Sequence, residues 1–198
     1  MPRAQVDKRT LRTQEALRDA LLELIIERGY EKSSVQDILD RACIGRATFY
    51  THYRNKEDLL KRSLDVLHEH LIGEWKCSAK DGAQTERSLG FSLTFFRHVD
   101  GHRKLYRAIV GRESGAIVDR QMRRLLFDLV KLEISDQGRK GRNDLRADMA
   151  AQYVVGALMS TVTWWLDHNT PFSPEQIDNL FRQMTLPALQ SFRGSHVP

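Results

Sequence analysis

Apolar residues recur along this chain at helical spacing, and strand-like alternation is nearly absent. Leu17, Ala20, Leu21, Leu24 and Ile25 give a first helix one apolar face. Gly29 stops it, because glycine takes the left-handed conformation past a helix end at little cost. Ser34 opens a second helix: its hydroxyl can accept from the amide of Asp37, whose carboxylate can answer in a capping box. Val35, Ile38, Leu39 and Ala42 then share a face. Cys43, Ile44 and Gly45 interrupt the pattern before a short helix over 46–53. Asn55 and Asp58 cap a fourth helix, expected over 56–75, with Leu60, Leu64, Leu67 and Leu71 in one stripe. Leu60 and Leu64 should face the preceding helices, and Leu67, Leu71 and Trp75 whatever follows.

The polar run CSAKDGAQTE marks a domain junction near residue 76. Helical patterns resume over 87–99, 102–110 and 116–133, and a polar loop follows over 135–144. A long helix is predicted over 145–167. After Pro171, Ser173, Pro174 and Gln176 supply the cap, first-turn proline and box-closing side chain of a last helix. Ile177, Leu180, Phe181 and Met184 form its apolar stripe. The expectation is an all-α chain of about nine helices without internal repeats. It divides into a basic arm (1–10), a small helical domain with its linking helix (11–75) and a larger helical domain (76–198).

Charge adds a hint of an anionic partner. The net charge is +5, and Arg3, Lys8, Arg9 and Arg12 face only Asp7 among the first 14 residues. A basic segment of that kind can lie along a phosphate backbone. No apolar run reaches membrane-spanning length, and the basic N-terminus lacks the apolar stretch of a secretory signal. The chain is therefore expected in the cytoplasm. Cys43 and Cys77 make neither a metal-ligand spacing nor a disulfide framework. No hydrolase, nucleotide-binding or zinc-protease fingerprint occurs, so no catalytic residue, cofactor or metal is expected. His98 and His102 stand four apart, but Asp100-Gly101 should break the helix between them; Asp65 and His68 are likewise read as ordinary surface or structural residues.

Two short helices joined by a three-residue turn, over 34–53, make a helix-turn-helix, whose second helix enters the DNA major groove. The stretch SSVQDILDRACIGRATFYTHYRNKEDLL resembles the DNA-binding signature of the tetracycline-repressor (TetR) family of bacterial regulators, with nearly every element met over about 60 residues. Two positions depart from that pattern. Cys43 stands where the family usually has glycine, and a positive φ there would cost roughly 1 kcal/mol. Gly45 stands where a serine or threonine cap is common and supplies no side-chain bond.

Within this frame Ala47 and Thr48 are small enough to let the reading helix approach base edges and thymine methyls. Arg46 can donate to guanine or to phosphate. Tyr50 offers a ring and a hydroxyl, and His52 a donor. Ser33 and Ser34, with the amides opening the second helix, make a further anion site. The resemblance implies a phosphate contact for Lys56. Phe49 and Tyr53 should pack inward, as should Ile44.

The resemblance also implies that the larger domain dimerises and takes a small-molecule effector, so that a homodimeric repressor leaves a palindromic operator when the spacing of its two heads changes. Gly156, Ser160 and Thr163 form a small-residue strip beside Tyr153 and Ala157. With Ile177, Leu180, Phe181 and Met184 they suit a four-helix contact across a two-fold axis. Phe91, Phe95, Tyr106, Phe127 and Trp164 are the candidate effector residues. The alternatives are activation rather than repression, and control by a protein partner or by oxidation of a cysteine such as Cys77.

Overall fold

A computed structural model describes residues 8–81, 89–110, 115–136, 145–168 and 170–194. Among them are nine helices and no strand. They are α1 (Lys8–Arg28), α2 (Val35–Ala42), α3 (Arg46–His52), α4 (Lys56–Asp81), α5 (Ser92–Gly101), α6 (Arg103–Ile109), α7 (Ala116–Asp136), α8 (Leu145–Asp167) and α9 (Pro174–Gly194). The side chains of Trp75 and Cys77, and residues 1–7, lie outside the described set. Of the expected arm over 1–10, Lys8, Arg9 and Thr10 belong to α1, and the rest lies outside the described residues.

The local signals explain most boundaries. Gly29 takes φ 86° and its amide donates to the Ile25 carbonyl at 3.0 Å, closing α1. Ser34 and Asp37 form the capping box of α2: Ser34 Oγ accepts from the Asp37 amide at 3.2 Å and Asp37 Oδ2 accepts from the Ser34 amide at 2.7 Å. Cys43 ends α2 in the left-handed region, φ 54° and ψ 41°. Asn55 Oδ1 accepts from the Asp58 amide at 2.8 Å and starts α4. Ser173 and Gln176 reciprocate at the start of α9, at 2.9 and 3.3 Å.

Three boundaries differ from the sequence expectation. Helix α4 continues past 75 to Asp81. Helix α5 begins at Ser92 rather than 87, because Leu89 is left-handed (φ 60°) and the Ser92 hydroxyl bonds its carbonyl at 2.7 Å. The break between α5 and α6 falls at His102 (φ −126°, ψ 31°), one residue beyond Asp100-Gly101.

Helices α1 to α3 and the start of α4 make a head built on Leu17, Leu21, Ile38, Phe49 and Leu60, each at most 1% exposed. The remaining helices make a body centred on Phe95, Phe96, Leu158 and Trp165, all fully buried. Helix α7 packs on α8, and α9 on α5 and α8. The buried Ser92 hydroxyl also lies within hydrogen-bond distance of the Asp178 carboxyl and so joins α5 to α9. Head and body are joined by α4, which runs from one into the other and packs on α7 and α5, and by α1, which packs directly on α6. Leu67 and Leu71 are buried as their stripe predicts.

Candidate functional site

The outer face of α3 is free. Ala47, Thr48 and Thr51 are exposed and Tyr50 is 51% exposed, while Phe49 is buried at 0% and Tyr53 at 5%. Phe49 meets Tyr50 edge-on at 5.3 Å, so a core ring supports a surface ring. Gly45, the N-cap, contributes no side-chain bond, and the Phe49 amide reaches its carbonyl at 3.2 Å. Arg46 donates from Nη2 to Gln36 Oε1 at 2.8 Å, which ties the reading helix to α2. His52 is half-buried beside Tyr53. Gln36 and Thr51 join this exposed face without having been singled out from sequence. Their signal was present: both lie opposite the apolar positions of their helices.

At the anion site expected at Ser33 and Ser34, the structure shows both hydroxyls engaged within the protein. Ser33 is 2% exposed, and its hydroxyl donates to the Gly29 carbonyl at 2.9 Å. Ser34 gives its hydroxyl proton to Asp37 Oδ2 at 2.6 Å. The anion at the positive end of α2 is the protein's own Asp37 carboxylate, which also pairs with Arg28 at 2.8 Å. Hydrogen bonds from Ser34, then from Arg28, hold that carboxyl well below its ordinary pKa.

Lys56 lies at the edge of this face and is already engaged. Its ammonium donates to the Tyr30 and Ser33 carbonyls at 2.8 and 2.6 Å and stands 4.1 Å above the Tyr30 ring. Burial pushes its pKa down, with Glu31, Glu57 and Asp37 opposing. An ammonium has three N–H donors, so one is left beyond the two carbonyls, on a group that also faces the Tyr30 ring.

In the body, a cavity of about 330 Å³ lies between α1, α4, the α5–α6 corner and α7. Its lining runs from Arg18, Asp19 and Leu22 of α1, through Leu64 and Leu67 of α4, to His98, His102, Leu105, Tyr106, Val118 and Met122. Of the five expected effector residues only Tyr106 lines it. Phe91 and Phe95 are fully buried core, and Phe95 meets Tyr106 edge-on at 5.9 Å. Phe127 packs on the core near Lys131, and Trp164 is 43% exposed and stacks on His168 at 5.2 Å. Helical periodicity places an aromatic inward without saying whether it meets a void or another ring.

His98 and His102 stack at 4.3 Å beside this cavity. The His98 carbonyl can only accept, so the His102 Nδ1 at 2.9 Å must carry a proton. Burial, then repulsion from His102 and His70, lowers the His98 pKa from 6.5 to about 4. Among the described residues no group of three or more His, Cys, Asp or Glu is arranged to hold a metal ion.

The expected two-fold contact divides. Tyr153, Ser160, Leu180 and Met184 are exposed, Ala157 and Thr163 are half-buried, and a Cβ on Gly156 would meet only open space. Ile177 and Phe181 are corrected: each is 1% exposed inside its own subunit, and Phe181 meets Phe96 edge-on at 5.8 Å. Met149 and Trp164, 66% and 43% exposed, continue the outward apolar face of α8.

Comparison with known proteins adds context to this geometry. Residues 17–62 match the family model described as bacterial regulatory proteins, tetR family. Residues 86–186, more than half the chain, match the model described as transcriptional regulator C-terminal region. The uncharacterized HTH-type transcriptional regulator YxbF of Bacillus subtilis is 43% identical over 72 residues, 34% of this chain but only 19% of that relative's length. The fatty acid metabolism regulator protein of B. subtilis is 25% identical over 171 residues, covering 81% of this chain and 87% of its own. The solved structure of FadR from B. subtilis in complex with stearoyl-CoA superposes with a TM-score of 0.60 at 20% identity, over 86% of this chain and 96% of that one. That likeness shows a shared fold. Among the described residues no helix is long and apolar enough to cross a membrane.

Proposed function

The chain belongs to the TetR family of DNA-binding transcriptional regulators, and we propose that it acts as a homodimeric repressor that leaves a palindromic operator when a small molecule enters its body. One observation carries this reading: the cavity is walled on one side by α1, a helix of the head, and on the others by α4 and the body. A molecule lodged there touches both parts at once. It changes the tilt of the head directly through α1 as well as along α4. A shift of a few ångströms at the heads matters, because half-sites on one face of a duplex lie about 34–36 Å apart.

Two further features support the reading. The exposed apolar face of α8 and α9, with Tyr153, Leu180 and Met184, is of the kind that a second copy covers. The B. subtilis FadR structure holds stearoyl-CoA, and the body of this chain has the same fold. Thr48, Tyr50 and Arg46 are assigned to base and backbone contact, and Lys56 to phosphate by its third N–H. The effector must bind the released arrangement more tightly than the DNA-bound one. The test is selection of genomic fragments by the purified full chain, followed by release of the selected fragment with small molecules suggested by the flanking genes. A fragment carrying an inverted repeat, released by at least one such molecule, is the expected result. A chain that enriches no fragment contradicts the reading.

A further inference from the structure

Tyr106 presents an unusual combination in the wall of this cavity. The residue is 2% exposed, and its hydroxyl has no hydrogen-bond partner among the described residues. A buried hydroxyl left without a partner costs roughly 1–3 kcal/mol, so such groups are rare unless something else supplies the acceptor. Burial pushes the phenol far above its ordinary pKa, so it stays protonated and offers a donor. Apart from the exposed His70, the other polar side chains at the wall, the charged pair aside, have partners or are neutral. Ser63 gives its hydroxyl to the Leu59 carbonyl at 2.8 Å. His102 gives Nδ1–H to the His98 carbonyl. His98, largely buried, is neutral at ordinary pH.

The charges lining the cavity are balanced. Arg18 and Asp19 lie beside each other, Nε to Oδ1 3.6 Å, and among the described residues no other arginine, lysine or carboxylate lines it. Beyond its histidines, nothing among the described residues there supplies surplus positive charge for a carboxylate or phosphate drawn out of water, a transfer that is costly without a partner. The rest of the wall is mostly aliphatic, including Leu22, Leu64, Leu67, Val118 and Met122. Its 330 Å³ is at the small end of ligand pockets, which span roughly 300–1,000 Å³.

We propose that the effector is an uncharged, largely apolar molecule carrying one ketone- or ether-type oxygen, held by a hydrogen bond from the Tyr106 hydroxyl. This rests on the reading of the cavity as the effector site. It adds the ligand class, and it makes Tyr106 the residue that sets specificity. The site hydrogen-bonds an acceptor that a hydrocarbon lacks, and its one described arginine already faces Asp19. Recognition by a donor left unpaired in the empty state is selective, because a ligand without the acceptor leaves that donor unpaired.

Matched probes test this on the full chain in the absence of DNA. Naphthalene, decalin and an unbranched ten-carbon chain are each tested as the methyl ketone, the hydrocarbon and the carboxylate, with affinity read by calorimetry. On at least one skeleton the ketone should bind roughly tenfold tighter than the hydrocarbon, the scale of one buried hydrogen bond, and tighter than the carboxylate. Tyr106→Phe should erase the ketone's advantage and, by removing an unpaired hydroxyl, raise the unfolding midpoint of the empty protein. Leu64→Trp, which narrows the cavity from α4, should abolish binding of every probe, and a folded Leu64→Trp that keeps it would place the site elsewhere. The proposal is overturned if the carboxylate or hydrocarbon binds as well as the ketone on every skeleton. It is also overturned if no ketone binds at millimolar concentration, or if folded Tyr106→Phe keeps the preference. Operator release is measured separately: ketones that bind without releasing DNA sustain the ligand assignment and sink the effector reading.

Discussion

Lys56 donates to the Ser33 carbonyl at 2.6 Å, and by this bond the first turn of α4 holds the loop that opens α2. The side chain that the family signature assigns to phosphate is also a brace of the head. Lys56→Ala therefore has two effects. Losing donors to two carbonyls should lower head stability by about 1–3 kcal/mol, read by urea unfolding. Losing the third N–H should flatten the slope of log affinity against log salt by about one unit. An unchanged salt slope would remove Lys56 from the phosphate contacts and leave it as a brace.

Cys43 occupies the left-handed region at φ 54°. A side chain there costs roughly 1 kcal/mol, and glycine does not incur it. Cys43→Gly should raise the stability of the head by a similar amount, less the entropy that glycine gains in the unfolded chain. Chemical denaturation measures it. A destabilised variant would mean that the weak Sγ contact to the Asp40 carbonyl at 3.8 Å outweighs the backbone strain.

His98 gives the protein a predictable acid sensitivity. In the fold it takes up a proton only near pH 4, whereas its ordinary value is 6.5. The unfolded chain thus binds more protons between these values. Stability is complete above pH 6.5 and is lost as pH falls toward 4, by about 3 kcal/mol in all. His98→Gln should flatten that part of the stability profile, followed by thermal or urea unfolding from pH 7 to 4. A variant with the same decline as the parent would assign the loss to other groups.

Assembly through the outer face of α8 and α9 is tested by charge. Leu180 and Met184 are 41% and 65% exposed, so glutamate at both should leave the subunit folded. Two carboxylates on each side of a two-fold contact repel and must be desolvated. Sedimentation should show a folded monomer for Leu180→Glu with Met184→Glu. An intact dimer would move the interface off this face.

These tests divide along the line between what sequence carries and what it does not. Caps and stops were legible because they are local: Gly29, Ser34 with Asp37, Asn55 with Asp58, and Ser173 with Gln176 each act within one turn. The inward positions of Phe49 and Tyr53 followed from periodicity. Two kinds of information were missing. Phe181 and Leu180 are neighbours on one stripe, yet one is core and the other surface, because a helix packed on α5 and α8 buries only part of its apolar arc. The fate of polar groups was also hidden. Asp37 read as a cap, but its further pairing with Arg28 of another helix could not be read from local spacing. Tyr106 read as one aromatic among several. Only the tertiary arrangement shows that it alone of the five candidate aromatics lines the cavity.

The central claim is that the exposed face of α3 reads DNA sequence, and Thr48 lies at its start. The most direct measurement is hydroxyl-radical footprinting of the full chain on a selected genomic fragment, with Thr48→Glu in parallel and helical content checked by circular dichroism. The account predicts two protected patches on one face of the duplex, centred on the halves of an inverted repeat. It also predicts their loss in Thr48→Glu at unchanged helicity, since each good base contact carries roughly 1–3 kcal/mol of discrimination. Uniform protection without a repeat, or the same two patches in folded Thr48→Glu, would contradict it.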